Sequence, residues 1–147
     1  MTEPSPHLER RRTGWLLLGL GLVAVAALTF TPIGWALNRL TVRIYVAITY
    51  GLGLRGVLPE QVGWTLNVLM FIPLGLALRL LLRPFPALLT CFGLSCLIEL
   101  VQLVPAVGRE ASLGDVVANT AGGCIAVTLT SIWLAWTDRH RGPLTPR

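Results

Sequence analysis

The sequence has few of the residues on which many enzymes and metalloproteins depend. It contains no lysine, so all twelve basic residues are arginines, and its two histidines, His7 and His140, lie in the polar ends of the chain. The three cysteines, Cys91, Cys96 and Cys124, form neither a CxxC pair nor a cluster with histidine. We therefore expect no metal site, no cofactor, no histidine-dependent hydrolysis and no disulfide framework.

Charged residues of both signs are also scarce. They make up 13% of the 147 residues, whereas hydrophobic residues make up 54%. A soluble domain carries about 25% charged residues. The composition therefore predicts an integral membrane protein, with the lipid bilayer as its principal partner. There is no basic and aromatic stripe of the kind that binds nucleic acid, so we expect no nucleic-acid partner.

Long apolar runs predict how the chain crosses the membrane. Four of them approach the ~20 residues that a helix needs to span the hydrocarbon core. We predict spans at about 15–31, 61–82, 86–104 and 116–137, with short polar tails at 1–12 and 138–147. Between the first two spans, the apolar run 44–54 is too short to cross, which favours an interfacial or re-entrant segment. The predicted fold is all-α: one membrane domain over 1–147, an integral bundle of four transmembrane helices plus this short segment.

The arginines predict the orientation of the spans. Cytoplasmic segments of membrane proteins carry an excess of arginine and lysine. With the N-terminus inside, eight arginines lie on the cytoplasmic side and four, Arg39, Arg43, Arg55 and Arg109, lie outside. We therefore predict a multi-pass protein whose N-terminus and C-terminus are both cytoplasmic.

Glu99 is the only charged residue between Pro84 and Gly108. A charge at the centre of a membrane helix costs about 2.5–3.5 kcal/mol even on insertion scales that give low penalties. Such a residue is kept where it faces other protein groups or a water-filled cavity, and it marks a functional site by default. Glu99 is therefore the first candidate site residue.

Other polar residues are expected to reach the same depth as Glu99. Gln102 follows it by three positions on the same helix face, and Asp115 and Asn119 share a face of the next span. In the predicted topology these residues lie near the outer surface, together with one residue of the second span and one of the loop after the third. The predicted binding residues are Asn67, Glu99, Gln102, Arg109, Asp115 and Asn119.

Each of these residues also has a purely structural interpretation. Asp115 follows Ser112 by three positions, as in a capping box at the start of a helix. The three amide side chains can hydrogen-bond between helices, at about 0.6 kcal/mol each. Arg109 can be an ordinary loop cation or the counter-ion of Glu99.

The last span carries small residues on the face that begins with Asp115 and Asn119. Gly122, Gly123 and Ala126 continue that face. Small residues let membrane helices approach each other closely. The pattern predicts tight helix packing below the polar residues.

Three blocks, in order, resemble the VanZ-like family. They are Asn67-Val-Leu-Met-Phe-Ile-Pro-Leu-Gly75, then Ser95-Cys-Leu-Ile-Glu-Leu-Val-Gln102, then Gly108-Arg109 followed by Asp115-Val-Val-Ala-Asn-Thr-Ala-Gly-Gly123. The resemblance covers about 61–130, and it gives Glu99, Gln102, Arg109, Asp115 and Asn119 as the family's polar signature. It implies a small multi-spanning protein of the bacterial inner (cytoplasmic) membrane. The family's namesake is associated with low-level resistance to the glycopeptide teicoplanin. The stretch 110–114 departs from the aromatic and acidic positions that the family often carries there.

Three functions fit this pattern. The first is a cell-envelope protein whose extracytoplasmic polar pocket binds a lipid head group, a lipid-linked cell-wall precursor or a glycopeptide, with Arg109 facing phosphate or carboxylate. The second is a membrane-embedded hydrolase, similar to a lipid phosphatase, that acts at the outer leaflet with Glu99 and Asp115 as base and acid or nucleophile. The third is a polar cluster that only fixes helix register. The sequence leaves an oligomer open.

Overall fold

The described residues form five α-helices. The structure, a computed structural model, describes residues 6–30, 34–54, 56–103 and 112–140. No strand occurs in these four stretches, which confirms the all-α prediction. The helices are α1 (Pro6–Phe30), α2 (Gly34–Val46), α3 (Pro59–Leu81), α4 (Pro84–Gln102) and α5 (Leu113–His140).

The helices agree with the predicted membrane bundle. Three of them, α3, α4 and α5, are long and apolar enough to cross a membrane. Their ends lie within three residues of the predicted spans 61–82, 86–104 and 116–137. The fourth long helix, α1, has 25 residues, about 37 Å at 1.5 Å per residue. Helices satisfy their own backbone hydrogen bonds, which is what the hydrocarbon core requires.

α1 begins well before the predicted span at 15–31. Its first turns lie against the last turns of α5, because Arg10 Nη2 lies 2.9 Å from Asp138 Oδ1 and 3.2 Å from Thr137 Oγ1. The Arg10 guanidinium also lies 5.8 Å from the ring centroid of Trp133. The start of α1 and the end of α5 are therefore at the same end of the bundle.

The short segment between α1 and α3 is mostly helical. α2 is followed by a π-helical turn, Ala47–Gly51, in which the Leu52 N–H donates to the Ala47 carbonyl at 3.1 Å. With 13 residues, α2 is shorter than a span. The helix begins ten residues before the apolar run 44–54 on which the prediction rested. The prediction that this segment lies flat at the membrane interface or re-enters the membrane remains untested.

α3 lies at the centre of the bundle, beside both α1 and α5. α1 runs antiparallel to it, since a Cβ on Gly14 would come within 2.9 Å of Leu81 and one on Gly21 within 2.7 Å of Leu74. α5 packs against α3 most extensively, and α4 packs mainly against α5. Two groups of buried residues form the core: Val25, Phe71, Leu74 and Ile98, and Leu78, Ala87, Cys91 and Val127.

The small residues of α5 meet α3 and α4 at very close range. A Cβ on Gly122 would collide with the carbonyl oxygen of Val68. One on Gly75 would come within 2.8 Å of the Ala126 Cβ and of the Gly123 carbonyl oxygen. The predicted close packing of this face is therefore confirmed.

Candidate functional site

Helix register places the predicted polar residues at one end of the bundle. α4 is antiparallel to α5: Gly123 lies beside Cys91, and the Ser95 hydroxyl donates to the Val116 carbonyl at 3.3 Å. α3 is parallel to α5, with Val68 beside Gly122. Residues near 67 on α3, 95–102 on α4 and 112–119 on α5 therefore lie at similar heights.

Most of the buried polar side chains are at this end. In the described stretches, five polar or charged residues are buried, and only Thr130 lies elsewhere. The other four are Ser95, Glu99, Gln102 and Asn119. With Ser112 and Asp115 of the adjoining turn they form what we call the polar cluster. Its members are Ser95, Glu99, Gln102, Ser112, Asp115 and Asn119.

Glu99 binds the N-terminus of the neighbouring helix. Its side chain is 7% exposed, and its Oε2 accepts a hydrogen bond from the Ser112 backbone N–H at 2.7 Å. Ser112 directly precedes α5, where backbone N–H groups lack partners within the helix and the helix dipole is positive. A short charge-assisted hydrogen bond at this position stabilises a buried carboxylate. Glu99 therefore caps α5 from α4.

Ser112 is the N-cap residue, as in the structural interpretation that the sequence left open, but its partners differ from those of a capping box. Its hydroxyl accepts from the Gly114 N–H at 3.1 Å. Its own N–H, which a capping box directs to the residue three positions later, donates to Glu99. Asp115 is half-buried in the first turn of α5, where the helix dipole favours a carboxylate. Two carboxylates therefore flank the start of this helix.

Gln102 and Asn119 contribute acceptors that no described residue engages. Their side chains are 5% and 1% exposed. The Gln102 Oε1 and Asn119 Oδ1 atoms have no hydrogen-bond partner among the described residues, and the hydroxyl of Thr120 beside them has none either. An unpaired buried acceptor costs about 1–3 kcal/mol, so native proteins contain few of them. These oxygens can receive a hydroxyl or ammonium group at the cluster.

Of the remaining two predicted residues, Asn67 and Arg109, only Asn67 lies in the described part of the structure. Asn67 is half-buried on α3, one turn before the fully buried Phe71. The α3–α5 register puts it at the height of Asn119. Arg109 lies outside the described residues. The structure thus brings Glu99, Gln102, Asp115 and Asn119 to one end of the bundle, with Asn67 at the same height.

One contribution to the cluster was not predicted: the backbone N–H of Ser112, which donates to Glu99. The alternative that Arg109 is the counter-ion of Glu99 stays a prediction, because Arg109 lies outside the described residues. The signal for the Ser112 N–H was the predicted start of the last span, because a helix N-terminus binds anions. Thr120, which lies outside the cluster as defined but next to Asn119 in the sequence, was not predicted either; its buried hydroxyl has no hydrogen-bond partner among the described residues.

The opposite end of the bundle differs in its polar contacts. Arg79 Nε donates to Ser131 Oγ at 2.6 Å, and its Nη1 donates to the Leu82 carbonyl at 3.1 Å. Ser131 in turn donates to the Val127 carbonyl at 2.7 Å. Arg79 and Ser131 therefore find hydrogen-bond partners within the bundle.

The described residues offer no set of ligands for a metal ion. No group of three or more histidine, cysteine, aspartate or glutamate residues lies close together in the described stretches. The cysteines are free: Cys91 is buried, Cys96 is half-buried and Cys124 is exposed. The functional groups that the polar cluster offers are hydroxyls, side-chain amides and carboxylates.

Comparison with known proteins identifies the family. The VanZ/LLP1 family model matches residues 17–134. The match includes most of α1 and all of α2, which lie outside the three sequence blocks at 61–130. No curated protein and no solved structure matches the chain. The chain is a membrane protein of the cell envelope that belongs to the VanZ/LLP1 family.

Proposed function

We propose that the polar cluster is a binding site for a polar head group. The ligand classes are a lipid head group, a lipid-linked cell-wall precursor and a glycopeptide. One observation carries the proposal: the amide oxygens of Gln102 and Asn119 are buried and unpaired among the described residues, beside the carboxylate of Glu99. A cluster that only held helices together would be expected to pair its own groups.

The chemistry of the cluster favours a ligand with hydrogen-bond donors. Glu99 and Asp115 are acceptors when ionised, and the unpaired atoms of Gln102 and Asn119 are acceptor oxygens. Hydroxyl and ammonium groups complement such a site. The sequence adds Arg109, which we propose faces the phosphate or carboxylate of the same ligand.

We propose that the cluster faces the extracytoplasmic side. Arg10 at the start of α1 lies beside Asp138 at the end of α5, and Arg79 and Arg83 lie at the α3–α4 connection of that end. The cluster is at the other end of the same helices. Because arginine-rich ends are cytoplasmic, this arrangement supports a ligand that arrives from the outer leaflet or from outside the cell.

The alternative, a hydrolase that uses Glu99 and Asp115, stays a prediction from the sequence. The described contacts give Glu99 a capping role and place Asp115 in the first turn of α5. They add nothing specific to catalysis. We therefore propose binding as the function.

Thermal unfolding with a ligand panel tests the proposal. The protein, purified in detergent, is heated with phosphatidylglycerol, phosphatidylethanolamine, a polyprenyl phosphate or teicoplanin. A ligand that binds only the folded state adds about 2.7 kcal/mol of stability at 100 times its Kd. We expect at least one member of the panel to raise the unfolding midpoint of the wild type, and Asn119→Leu to lose that increase.

Thr130→Val is the matched control. Thr130 is 6% exposed and lies on α5, as Asn119 does, but outside the polar cluster. This variant should keep the full ligand-induced increase. An equal increase in all three proteins would contradict the proposal, as would a panel in which no ligand stabilises the wild type.

A further inference from the structure

An apolar groove opens between α1 and α4. α1 packs on α3 and α4 packs on α5, whereas α1 and α4 make little contact with each other. The gap between them has a volume of about 290 Å³, and all of its lining side chains are apolar. We call it the α1–α4 groove. Its walls include Leu22, Val25, Ala26, Leu97, Ile98 and Val101.

On α4 the residues that line the groove are direct sequence neighbours of the polar cluster. Ile98 and Val101 line it, and the next residues along α4 are Glu99 and Gln102. Gln102 also lies one turn after Ile98, on the boundary between the groove and the α5-facing side of α4. Val25 of α1 and Ile98 of α4, which both line the groove, belong to the same group of buried apolar residues.

The groove is open on its outer side and narrow. Leu22 is 41% exposed and Leu97 is 55% exposed, so these walls face the hydrocarbon of the bilayer. The volume, about 290 Å³, lies at the lower limit of the roughly 300–1,000 Å³ of small-molecule pockets. A helix, with a diameter of about 10 Å, is too wide for such a gap. One hydrocarbon chain is the occupant that matches its size and chemistry.

We infer that the ligand of this protein is a lipid, one hydrocarbon chain of which lies in the α1–α4 groove while its head group lies in the polar cluster. The inference rests on the proposed function and narrows it, since a ligand without a hydrocarbon chain would make no use of the groove. The lipid enters sideways from the bilayer, between α1 and α4. Its chain meets its head group where Ile98 and Val101 adjoin Glu99 and Gln102.

Photolabelling tests the inference. The full-length protein is reconstituted in phosphatidylcholine vesicles with phosphatidylglycerol that carries a diazirine midway along one acyl chain. Labelled residues are identified by peptide mass spectrometry, and excess unlabelled phosphatidylglycerol separates saturable labelling from general contact with the bilayer. We expect saturable labelling on the groove-lining residues of α1 and α4, and non-saturable labelling at lipid-exposed residues outside the groove, such as Leu100.

Two groove variants and a matched control sharpen the test. Ala26→Phe fills the groove from α1, and Val101→Phe fills it from α4 and serves if the first variant folds poorly. Ala24→Phe is the control, because Ala24 is also an exposed alanine of α1 but does not line the groove. We expect the groove variants to lose saturable labelling about tenfold or more, as when two methylene groups leave apolar contact, and Ala24→Phe to keep it.

A cluster variant, Gln102→Leu, separates the two proposals. Loss of saturable labelling in both Gln102→Leu and Ala26→Phe supports the head-group site and the groove inference together. Loss in Gln102→Leu alone overturns the groove inference and leaves the head-group site intact. Loss in Ala26→Phe alone supports a chain site and contradicts the proposed function. Saturable labelling that neither variant lowers, or labelling that is nowhere saturable, overturns the groove inference.

Discussion

Glu99 shows how a single charge can be kept inside a membrane helix bundle. Near the end of its own helix, a carboxylate meets the negative pole of the dipole. Its Oε2 reaches instead to the Ser112 N–H, at the positive start of α5. The residue thereby links α4 to α5 and holds a carboxyl group at the end where Gln102 and Asn119 are buried.

Replacing Glu99 separates its capping role from its charge. In Glu99→Gln the amide oxygen can still accept the Ser112 N–H, whereas in Glu99→Leu this N–H loses its partner. A lost hydrogen bond of about 1–3 kcal/mol corresponds to faster amide exchange by roughly 5- to 150-fold. We expect this acceleration at Ser112 in Glu99→Leu and little change in Glu99→Gln, measured by residue-resolved hydrogen exchange in micelles.

Glu60→Leu controls for the general loss of a carboxylate. Glu60 is exposed in the first turn of α3, and its removal should leave exchange at Ser112 unchanged. Equal exchange rates in Glu99→Gln and Glu99→Leu would show that the cap does not depend on the side-chain acceptor.

The sequence predicted Glu99 but not its partner. A lone carboxylate in an apolar run is visible in any hydropathy profile, and the cost of burying it makes it stand out. Its partner, the Ser112 N–H, is a backbone group that every residue except proline carries. Only the meeting of α4 and α5 identifies which of these groups it is.

At the scale of the helices, the α3–α5 pairing determines where the polar residues lie. Gly122 and Gly75 bring the two backbones together with no space for a Cβ on either helix. This contact fixes the heights of Asn67 and Asn119 relative to each other. The small residues therefore have a role in assembling the polar end as well as in packing.

Glycine substitutions should distinguish the tight contact from an ordinary helix position. Gly122→Ala places a methyl group against the Val68 carbonyl oxygen, so the helices must separate. Overpacking of this kind costs about 1–3 kcal/mol. We expect a loss of that size in the free energy of unfolding, measured by reversible denaturation in mixed micelles.

Gly93→Ala provides the comparison on the neighbouring helix. A Cβ on Gly93 meets nothing within 4 Å, and alanine favours a helix over glycine by about 1 kcal/mol. This variant should be as stable as the wild type or more stable. If Gly122→Ala were equally well tolerated, the close approach of α3 and α5 would be contradicted.

The sequence predicted the helices in part. Hydropathy located α3, α4 and α5 closely, because in these segments the apolar run and the helix nearly coincide. It missed the first turns of α1, which extend past Arg12 to Pro6. Those turns lie before the apolar run, so a hydropathy profile does not mark them as part of the span. Arg10 contacts Asp138, a residue far away in the sequence. Hydropathy marks where apolar sequence ends, and a helix can continue further.

At the scale of the whole molecule, the two ends of the bundle differ in kind. One end carries arginines whose contacts lie within the protein, such as Arg10 with Asp138 and Arg79 with Ser131. The other buries a carboxylate and two amides, with amide oxygens that no described residue engages. The α1–α4 groove lies on the side of the bundle, and its lining on α4 extends to Val101, the residue before Gln102. This asymmetry is what we expect if the second end binds a ligand.

Native mass spectrometry of the protein extracted from its own membrane in mild detergent tests the central claim most directly. The polar cluster should retain a specific ligand, so the wild type and Thr130→Val should carry the same adduct. Asn119→Leu should lose it about tenfold, as expected when a ligand's hydrogen bond loses its partner. Equal adduct occupancy in all three proteins, or no adduct on the wild type, would contradict a ligand site at the polar cluster.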